Sequence, residues 1–177
     1  MSGEDLVCSE PWPSGLRPAT DFDLPVMLAI FNETAETGAN SPVITPATLE
    51  QMRFYINFYK KDGMPVYVLE LGGEVVGWLS VNRFSWGTQA TGLTGEISVY
   101  VRAENVGRGI GASLCQAAVD LARDHGMETV VAWIMRENVV SQKMVQSRGF
   151  TLWARLPNIA RFAERRTDVM LFGRSLD

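Results

Sequence analysis

The chain has 177 residues, of which 46% are hydrophobic, with a formal net charge of −4 and a pI near 5.1. This length and apolar fraction predict one domain with a sizeable core, and the acidic balance argues against a nucleic-acid-binding surface. The chain has only two cysteines, an acidic N-terminus and no apolar run long enough to span a bilayer. We therefore expect a cytoplasmic protein without a disulfide framework, a signal peptide or a membrane partner.

The first half of the chain predicts a short strand, two helices and a hairpin. Residues 1–14 are interpreted as a flexible tail, followed by a single domain over residues 15–177. Residues in position to cap the two helices are Thr20 or Asp21 for the first and Thr45, followed by Pro46, for the second. Gly72-Gly73 predicts a tight turn between two strands, the second of which should carry Val76, Trp78 and Ser80 on one face.

The second half predicts further strands alternating with two helices. The predicted elements are a strand over residues 96–101, a helix over 110–121, a buried strand over 129–135, a short helix over 139–147, and strands over 150–156 and 168–172. Arg165-Arg166 is interpreted as an exposed turn before the last strand. This mixed order of strands and helices predicts one α+β domain built around a mixed sheet.

A glycine-rich stretch, Val106-Gly107-Arg108-Gly109-Ile110-Gly111-Ala112, lies between the predicted central strand and its helix. A glycine loop that opens a helix exposes unpaired backbone N–H groups, which suit an anionic phosphate. The letters also match the dinucleotide pattern G-x-G-x-x-G/A, but the segment from Val101 to Gly107 is long for the tight turn of that fold. A P-loop is excluded because no Lys-Ser/Thr pair follows, and a glycine turn that binds nothing is the structural alternative.

Three motifs in order resemble those of the GNAT-type acyl-CoA N-acyltransferases, in particular the phosphinothricin N-acetyltransferase branch. They are Glu96-Ile-Ser-Val-Tyr-Val, the glycine stretch, and Asn138-Val-Val-Ser141 with Arg148-Gly149-Phe150. The resemblance implies a mostly antiparallel sheet of about seven strands flanked by about four helices. It also implies transfer of an acetyl group from acetyl-CoA to a primary amine of a small molecule, of the phosphinothricin or methionine sulfoximine type, by a homodimer. The chain departs from the family at Val106, where a Gln or Arg usually begins the loop.

The resemblance also implies roles for individual residues. Glu96 is the candidate general base, because the amine is an ammonium ion at neutral pH and must lose a proton. Asn138 matches a coenzyme-contacting position and could equally be the N-cap of its helix. The implied coenzyme-binding residues are Val99, Tyr100, Val101, Gly107, Arg108, Gly109, Ile110, Gly111, Ala112, Asn138 and Ser141. No metal site is predicted.

Val145 stands where the branch usually has a His or Tyr as general acid, and valine cannot donate a proton. The thiolate could leave unassisted, since a thiol has a pKa near 8.5, or Tyr100, Ser141 or water could protonate it. A non-catalytic acyl-CoA-binding or regulatory module is therefore the alternative function. An acetyltransferase of a peptide or polyamine amine is a further alternative, and a Rossmann oxidoreductase is the most distant.

The acceptor pocket is predicted from arginine and aromatic residues outside the three motifs. A substrate carboxylate calls for an arginine, and the candidates are Arg83 and Arg161. Aromatic residues that could wall the pocket are Phe31, Phe84, Trp86 and Phe162. The family's usual acceptor segments are replaced by Ala39-Asn40-Ser41-Pro42 and Val81-Asn82-Arg83-Phe84, which makes an amine other than phosphinothricin reasonable.

Overall fold

A computed structural model describes residues 12–37, 44–162 and 165–177, and its centre is a seven-stranded sheet with helices on both faces. The strands are β1 (Leu16–Pro18), β2 (Val66–Leu71), β3 (Glu74–Arg83), β4 (Thr94–Val101), β5 (Thr129–Met135), β6 (Thr151–Phe162) and β7 (Arg165–Ser175). The helices are α1 (Leu24–Thr37), α2 (Leu49–Lys61), α3 (Ile110–Asp124) and α4 (Val139–Ser147).

The strands lie in the order β1-β2-β3-β4-β5-β7-β6. Every neighbouring pair is antiparallel except β4 and β5, which are parallel and are joined through α3. A parallel pair needs such a crossover, whereas the hairpins on either side do not. The predicted fold class, a mostly antiparallel sheet of seven strands with four helices, is confirmed.

Two separate apolar clusters hold the helices against the sheet. On one face, α3 and α4 bury Leu114 and Val145 against sheet residues such as Leu79. On the other face, α1 and α2 bury Met27 and Ile56 together with strand residues that include Val68 and Trp78. The Trp78 indole N–H donates to the Met27 carbonyl oxygen at 3.2 Å, so this buried polar group is also paired.

The second helix begins three residues later than predicted, because Thr48 and not Thr45 is its N-cap. The Thr48 hydroxyl accepts from the Gln51 backbone N–H at 3.2 Å, and the Gln51 side chain accepts from the Thr48 N–H at 2.9 Å. This reciprocal capping box satisfies two backbone donors, whereas a Thr45 cap would have no such partner three residues on. In contrast, Thr20 caps the short turn that leads into α1, as predicted.

Two predictions about the strands were wrong. Val76 does not share a face with Trp78: it packs in the α3 cluster while Trp78 packs in the α1–α2 cluster. The cause is a register shift between Leu69 and Glu70, where β3 contains an extra residue that reverses the alternation. The final hairpin is also longer than predicted, and Arg165-Arg166 is paired strand and not a turn.

The start of the described chain is already packed on the sheet. Trp12 lies edge-on to Tyr67, with 6.0 Å between the ring centroids, and the Leu16 N–H donates to the Pro13 carbonyl oxygen at 3.1 Å. Most of the predicted tail, residues 1–11, lies outside the described residues, as does the Ala39–Pro42 segment. Within the described ranges, no helix is both long and apolar enough to cross a membrane.

Candidate active site

The central feature of the candidate site is a gap between the two parallel strands. β4 and β5 pair only from Thr94 to Glu96 on one strand and from Thr129 to Val131 on the other. Over the rest of their described lengths the two strands form no pairs with each other, so the β4 edge that faces β5 is open from residue 97 onward. An open strand edge presents backbone N–H and C=O groups that an extended ligand can pair with.

A slot of about 100 Å³ occupies this gap. β4 contributes Val99 and Tyr100 to its lining, and α4 contributes Asn138 and Ser141, so four predicted coenzyme residues come together here. Asn138 is also the N-cap of α4, and its side-chain oxygen accepts from the Ser141 N–H at 3.0 Å. The two roles foreseen for Asn138 are therefore compatible in one conformation.

The glycine loop leads into the N-terminus of α3, the helix that contributes Cys115 to the slot. Gly107 and Gly109 have φ angles of +85° and +82°, a left-handed conformation that favours glycine. Gly109 is the N-cap of α3 and provides no side-chain cap, so the N–H groups of the first turn point outward without a side-chain partner. A Cβ built on Gly111 would lie 3.0 Å from the Met144 sulfur and 3.8 Å from a Val101 methyl group, so these elements pack closely.

The predicted loop residues therefore divide into two groups. Gly107, Arg108 and Gly109 are exposed in the loop before α3. The side chain of Ile110 is buried in the α3 cluster, and Gly111 allows the close approach of α3 to α4 and β4. Ala112 and Val101 are half-buried, and the Val101 side chain packs in the same cluster.

The turn that precedes the glycine loop is tied to distant elements. The Ala103 N–H donates to the Glu33 carboxylate of α1 at 2.7 Å. The Arg102 N–H donates to the Val76 carbonyl oxygen of β3 at 2.9 Å, at the extra residue that shifts the register. These bonds hold the entry to the loop in place without using a glycine-loop side chain.

Glu96 is half-buried at the point where β4 and β5 separate. Burial raises the pKa of its carboxyl above the ordinary value, because the charged form loses hydration, and a hydrogen bond from the Trp133 side chain partly opposes this rise. A carboxylate with a raised pKa is a better proton acceptor near neutral pH. Its position and its chemistry are those of a candidate general base.

A second and larger cavity, of about 840 Å³, lies beside Glu96. Its volume is in the range of small-molecule sites, and half of its lining residues are aromatic. It is lined by Phe54, Tyr55, Phe58, Tyr59, Asp62, Met64, Asn82, Arg83, Phe84, Ser85, Glu96 and Trp133. Trp133 also lines the slot, so the cavity and the slot share this residue.

Among the described residues, the predicted acceptor residues that line this cavity are Phe84 and Arg83. The Arg83 guanidinium donates to the Gly92 carbonyl oxygen at 2.7 Å. Phe31 lies in the core against Tyr100, with ring centroids 5.3 Å apart. Arg161 and Phe162 belong to the end of β6 and do not line the cavity, while the side chain of Trp86 lies outside the described part of the structure.

Two of the residues considered as general acids, Tyr100 and Ser141, line the slot. The Tyr100 ring is stacked on Trp78, with centroids 4.3 Å apart, and burial raises the pKa of its phenol above the ordinary value. Val145 is 2% exposed and lines the slot, so an aliphatic side chain occupies the position that the family resemblance associates with an acid. Cys115 also lines the slot, and burial raises the pKa of its thiol to about 12.

Sequence reasoning did not identify the aromatic residues of α2 or Trp133 as site residues. A signal was present for both. Trp133 is the one aromatic residue in the aliphatic β5 run Thr-Val-Val-Ala-Trp-Ile-Met, and Phe54, Tyr55 and Phe58 fall outside the apolar stripe that packs α2 on the sheet. Aromatic residues off the buried stripe of a helix are candidates for a second surface.

The fold agrees with comparisons to known proteins. Residues 28–150 match the model of the Acetyltransferase (GNAT) family. YwnH of Bacillus subtilis (strain 168), which carries a provisional name as a phosphinothricin acetyltransferase, is 32% identical over 91% of this chain and 98% of its own. The L-methionine sulfoximine/L-methionine sulfone acetyltransferase of Pseudomonas aeruginosa is 30% identical over 93% of this chain and 95% of its own.

A solved structure shows the same architecture with a coenzyme bound. The GNAT superfamily phosphinothricin acetyltransferase of Sinorhizobium meliloti, in complex with acetyl-CoA, superposes with a TM-score of 0.85 at 25% identity. The match covers 91% of this chain and 87% of that one. The diverging parallel strands, the glycine loop at the start of α3 and the family match over most of the chain together lead to one conclusion: this chain belongs to the Acetyltransferase (GNAT) family.

Proposed function

We propose that the protein transfers an acetyl group from acetyl-CoA to the primary amine of a small molecule of the amino-acid type, with Glu96 as general base. One observation carries the proposal: Glu96 lines the aromatic cavity and is the last β4 residue that pairs with β5, directly before Ile97, which lines the slot. An amine in the cavity and a thioester in the slot would meet beside a carboxylate that accepts protons readily.

The residues around the slot fit the coenzyme. Acetyl-CoA, when bound, supplies an activated acetyl thioester. The uncapped first turn of α3 and the exposed Gly107–Gly109 backbone would hold the pyrophosphate, and Arg108 would add a positive charge. The open edge of β4 at Val99 would form backbone hydrogen bonds with the extended pantetheine arm of the coenzyme. A backbone N–H of Val99 or Tyr100 would donate to the thioester carbonyl oxygen as that oxygen gains negative charge.

Glu96 would take the proton from the ammonium group of the acceptor, directly or through water. The Trp133 side chain would hold the carboxylate by its hydrogen bond while leaving one face of the cavity apolar. The proton would then leave to solvent through the cavity. These two side chains belong to the two strands that separate at the slot, so the sheet itself sets their distance.

The departing thiolate would receive no proton from the position of Val145, which is buried and aliphatic. A thiol pKa near 8.5 makes the thiolate an acceptable leaving group at neutral pH. Ser141 lines the slot and could provide a hydrogen bond to it, whereas the raised pKa of Tyr100 makes that phenol a weak proton donor. We therefore propose departure as the thiolate, with water or Ser141 nearby.

The test is thiol release from acetyl-CoA with a panel of amino acids, amino-acid analogues, polyamines and short peptides, using the wild type and Glu96→Gln. Loss of a general base typically lowers the rate by about 10² to 10⁴. We expect a decrease in kcat/KM of about 100-fold or more for Glu96→Gln, with unchanged acetyl-CoA affinity. Full activity of Glu96→Gln would remove its catalytic role.

The same experiment distinguishes the other function considered. Tight binding of acetyl-CoA without turnover of any amine between neutral and alkaline pH would identify a coenzyme-binding or regulatory module. In that case the absence of an acid at Val145 would explain the loss of activity. We also propose that the protein is a homodimer, as the family resemblance implies.

A further inference from the structure

α2 has two apolar faces, and the core uses only one of them. Met52 and Ile56 are 2% and 1% exposed and pack against the sheet. Phe54, Tyr55 and Phe58 are 69%, 50% and 45% exposed. Residues 54 and 58 are one helical turn apart, so they share a face that the core does not cover. Packing against the described residues leaves these three large aromatic side chains exposed.

This second face lines the same cavity as Glu96. Other aromatic walls come from Phe84, just after β3, and from Trp133 of β5. Their rings are nearly parallel, with an interplanar angle of 22° and centroids 6.3 Å apart. Aromatic surfaces from a helix, a turn and a strand therefore converge on the space beside the candidate base.

The charges of the cavity favour a cation over an anion. Among the described residues that line it, Glu96 and Asp62 are carboxylates and Arg83 is the one guanidinium. One Arg83 nitrogen already donates to the Gly92 carbonyl oxygen at 2.7 Å. A compact substrate with several anionic or strongly polar groups would find few partners on these walls, whereas an ammonium on an apolar body would find a carboxylate and aromatic faces.

We propose that the acceptor is a primary amine carried on an aromatic body, such as an aromatic amino acid or an arylalkylamine. This inference rests on the proposed acetyltransferase function and narrows its acceptor. The ring would lie among Phe54, Phe58 and Phe84 while the amine reaches Glu96. The substrate would thereby cover the aromatic face of α2 that is exposed in the free protein.

The experiment compares kcat/KM for thiol release with two groups of amines. The aromatic group is L-phenylalanine, L-tryptophan, phenethylamine and tryptamine, and the polar group is L-methionine sulfone, L-glutamate and a short peptide that begins with alanine. We expect the best aromatic amine to exceed every polar one by about tenfold or more, the size of discrimination that an apolar pocket supplies.

Phe58→Ala and Phe22→Ala form a matched pair of variants. Both remove an exposed phenylalanine, but Phe22 is 95% exposed and lies outside the cavity. We expect Phe58→Ala to lower kcat/KM for the aromatic amines about tenfold and for the polar amines less than twofold. Phe22→Ala should change neither.

The outcomes separate the inference from the proposed function. Turnover of methionine sulfone, glutamate or the peptide in preference to all aromatic amines would overturn the aromatic acceptor and leave the acetyltransferase intact. An equal effect of Phe58→Ala on both groups of amines would also overturn it. Binding of acetyl-CoA without turnover of any amine would instead reject the proposed function, on which the inference rests.

Discussion

The hydrogen bond from Trp133 favours the ionised form of Glu96 and partly offsets the effect of burial on its pKa. A donor stabilises the ionised carboxylate and lowers its pKa, while burial raises it and is the larger effect. Removing the donor with Trp133→Phe should therefore raise the pKa of Glu96 further. Because the base works only when ionised, the activity of the wild type should rise with pH through this pKa, and the rise in Trp133→Phe should occur at higher pH.

The measurement is the pH dependence of kcat with one saturating amine. Trp153→Phe is the matched control, since Trp153 is also exposed, lies on β6 and donates to the Thr151 hydroxyl at 3.1 Å. Its profile should coincide with that of the wild type. A Trp133→Phe profile that shifts to lower pH, or not at all, would contradict the role given to the indole.

At the level of elements, the glycine loop and α3 should bind the coenzyme through backbone groups. No described atom lies within 4 Å of a Cβ built on Gly109, but its φ of +82° makes any side chain strained. Gly109→Ala should cost about 1–2 kcal/mol of stability and place a methyl group where the phosphate approaches. We expect the Kd for CoA, measured by calorimetry, to rise about tenfold, which is about 1.4 kcal/mol.

Gly126 provides the control at the opposite end of the same helix. It has a φ of +75° and equally open surroundings, so Gly126→Ala should lose similar stability. It should not change the Kd for CoA, because it lies beyond the last turn of α3. Equal losses of affinity in both variants would show that general destabilisation, and not the loop, weakens binding.

The start of α1 depends on an ion pair. Arg17 of β1 donates to both oxygens of the buried Asp23 at 2.8 and 2.9 Å, and the Thr20 N–H donates to the same carboxylate at 2.8 Å. These hydrogen bonds, that of Arg17 foremost, hold the pKa of Asp23 well below its usual range. The pair therefore stabilises the fold at neutral pH, and its contribution decreases as the pH falls below about 4, the unfolded-state pKa.

Asp23→Asn should lower the free energy of unfolding in urea by about 1–3 kcal/mol at pH 7. The difference from the wild type should shrink in acid. Asp21→Asn is the control, because Asp21 is 75% exposed and only 3.9 Å from Lys60, so its loss should cost less than about 0.5 kcal/mol. A constant difference for Asp23→Asn between pH 7 and pH 3 would contradict the assigned ionisation.

For the whole molecule, the exposed edge of the sheet is the feature that bears on assembly. β6 is the outer strand and exposes Leu152, Trp153 and Ile159 by 48%, 51% and 59%. A long apolar edge strand is an aggregation hazard unless something covers it, and a second copy of the chain would do so. We expect light scattering to give twice the 19.6 kDa of the chain.

Ile159→Lys combined with Leu152→Lys should convert that dimer to a monomer, since each places a charge in the apolar contact. Phe22→Lys, at an exposed aromatic residue on the α1 side, should leave the mass unchanged. A wild-type protein that is monomeric at micromolar concentration would overturn the dimer.

The local elements followed from short-range patterns in the sequence. The helical periodicity of apolar residues in 110–121 predicted α3, and the apolar run at 129–135 predicted β5. Both patterns were informative because the buried residues of each element follow its own geometry along the chain. The predicted N-cap of α2 and the predicted face of Val76 were wrong, and the causes were also local. A capping box competed with an apparent Thr45-Pro46 start, and one extra residue in β3 reversed the alternation.

The sequence by itself determined the family, the order of most elements and the position of the glycine loop at the start of α3, since these depend on residues that are neighbours along the chain. Only the tertiary structure decided which side chains surround the acceptor cavity. Phe58, Arg83 and Trp133 are far apart in sequence and meet there because α2, β3 and β5 pack at one point of the sheet. Such convergence results from packing between elements, so the periodicity of residues within one element does not predict it.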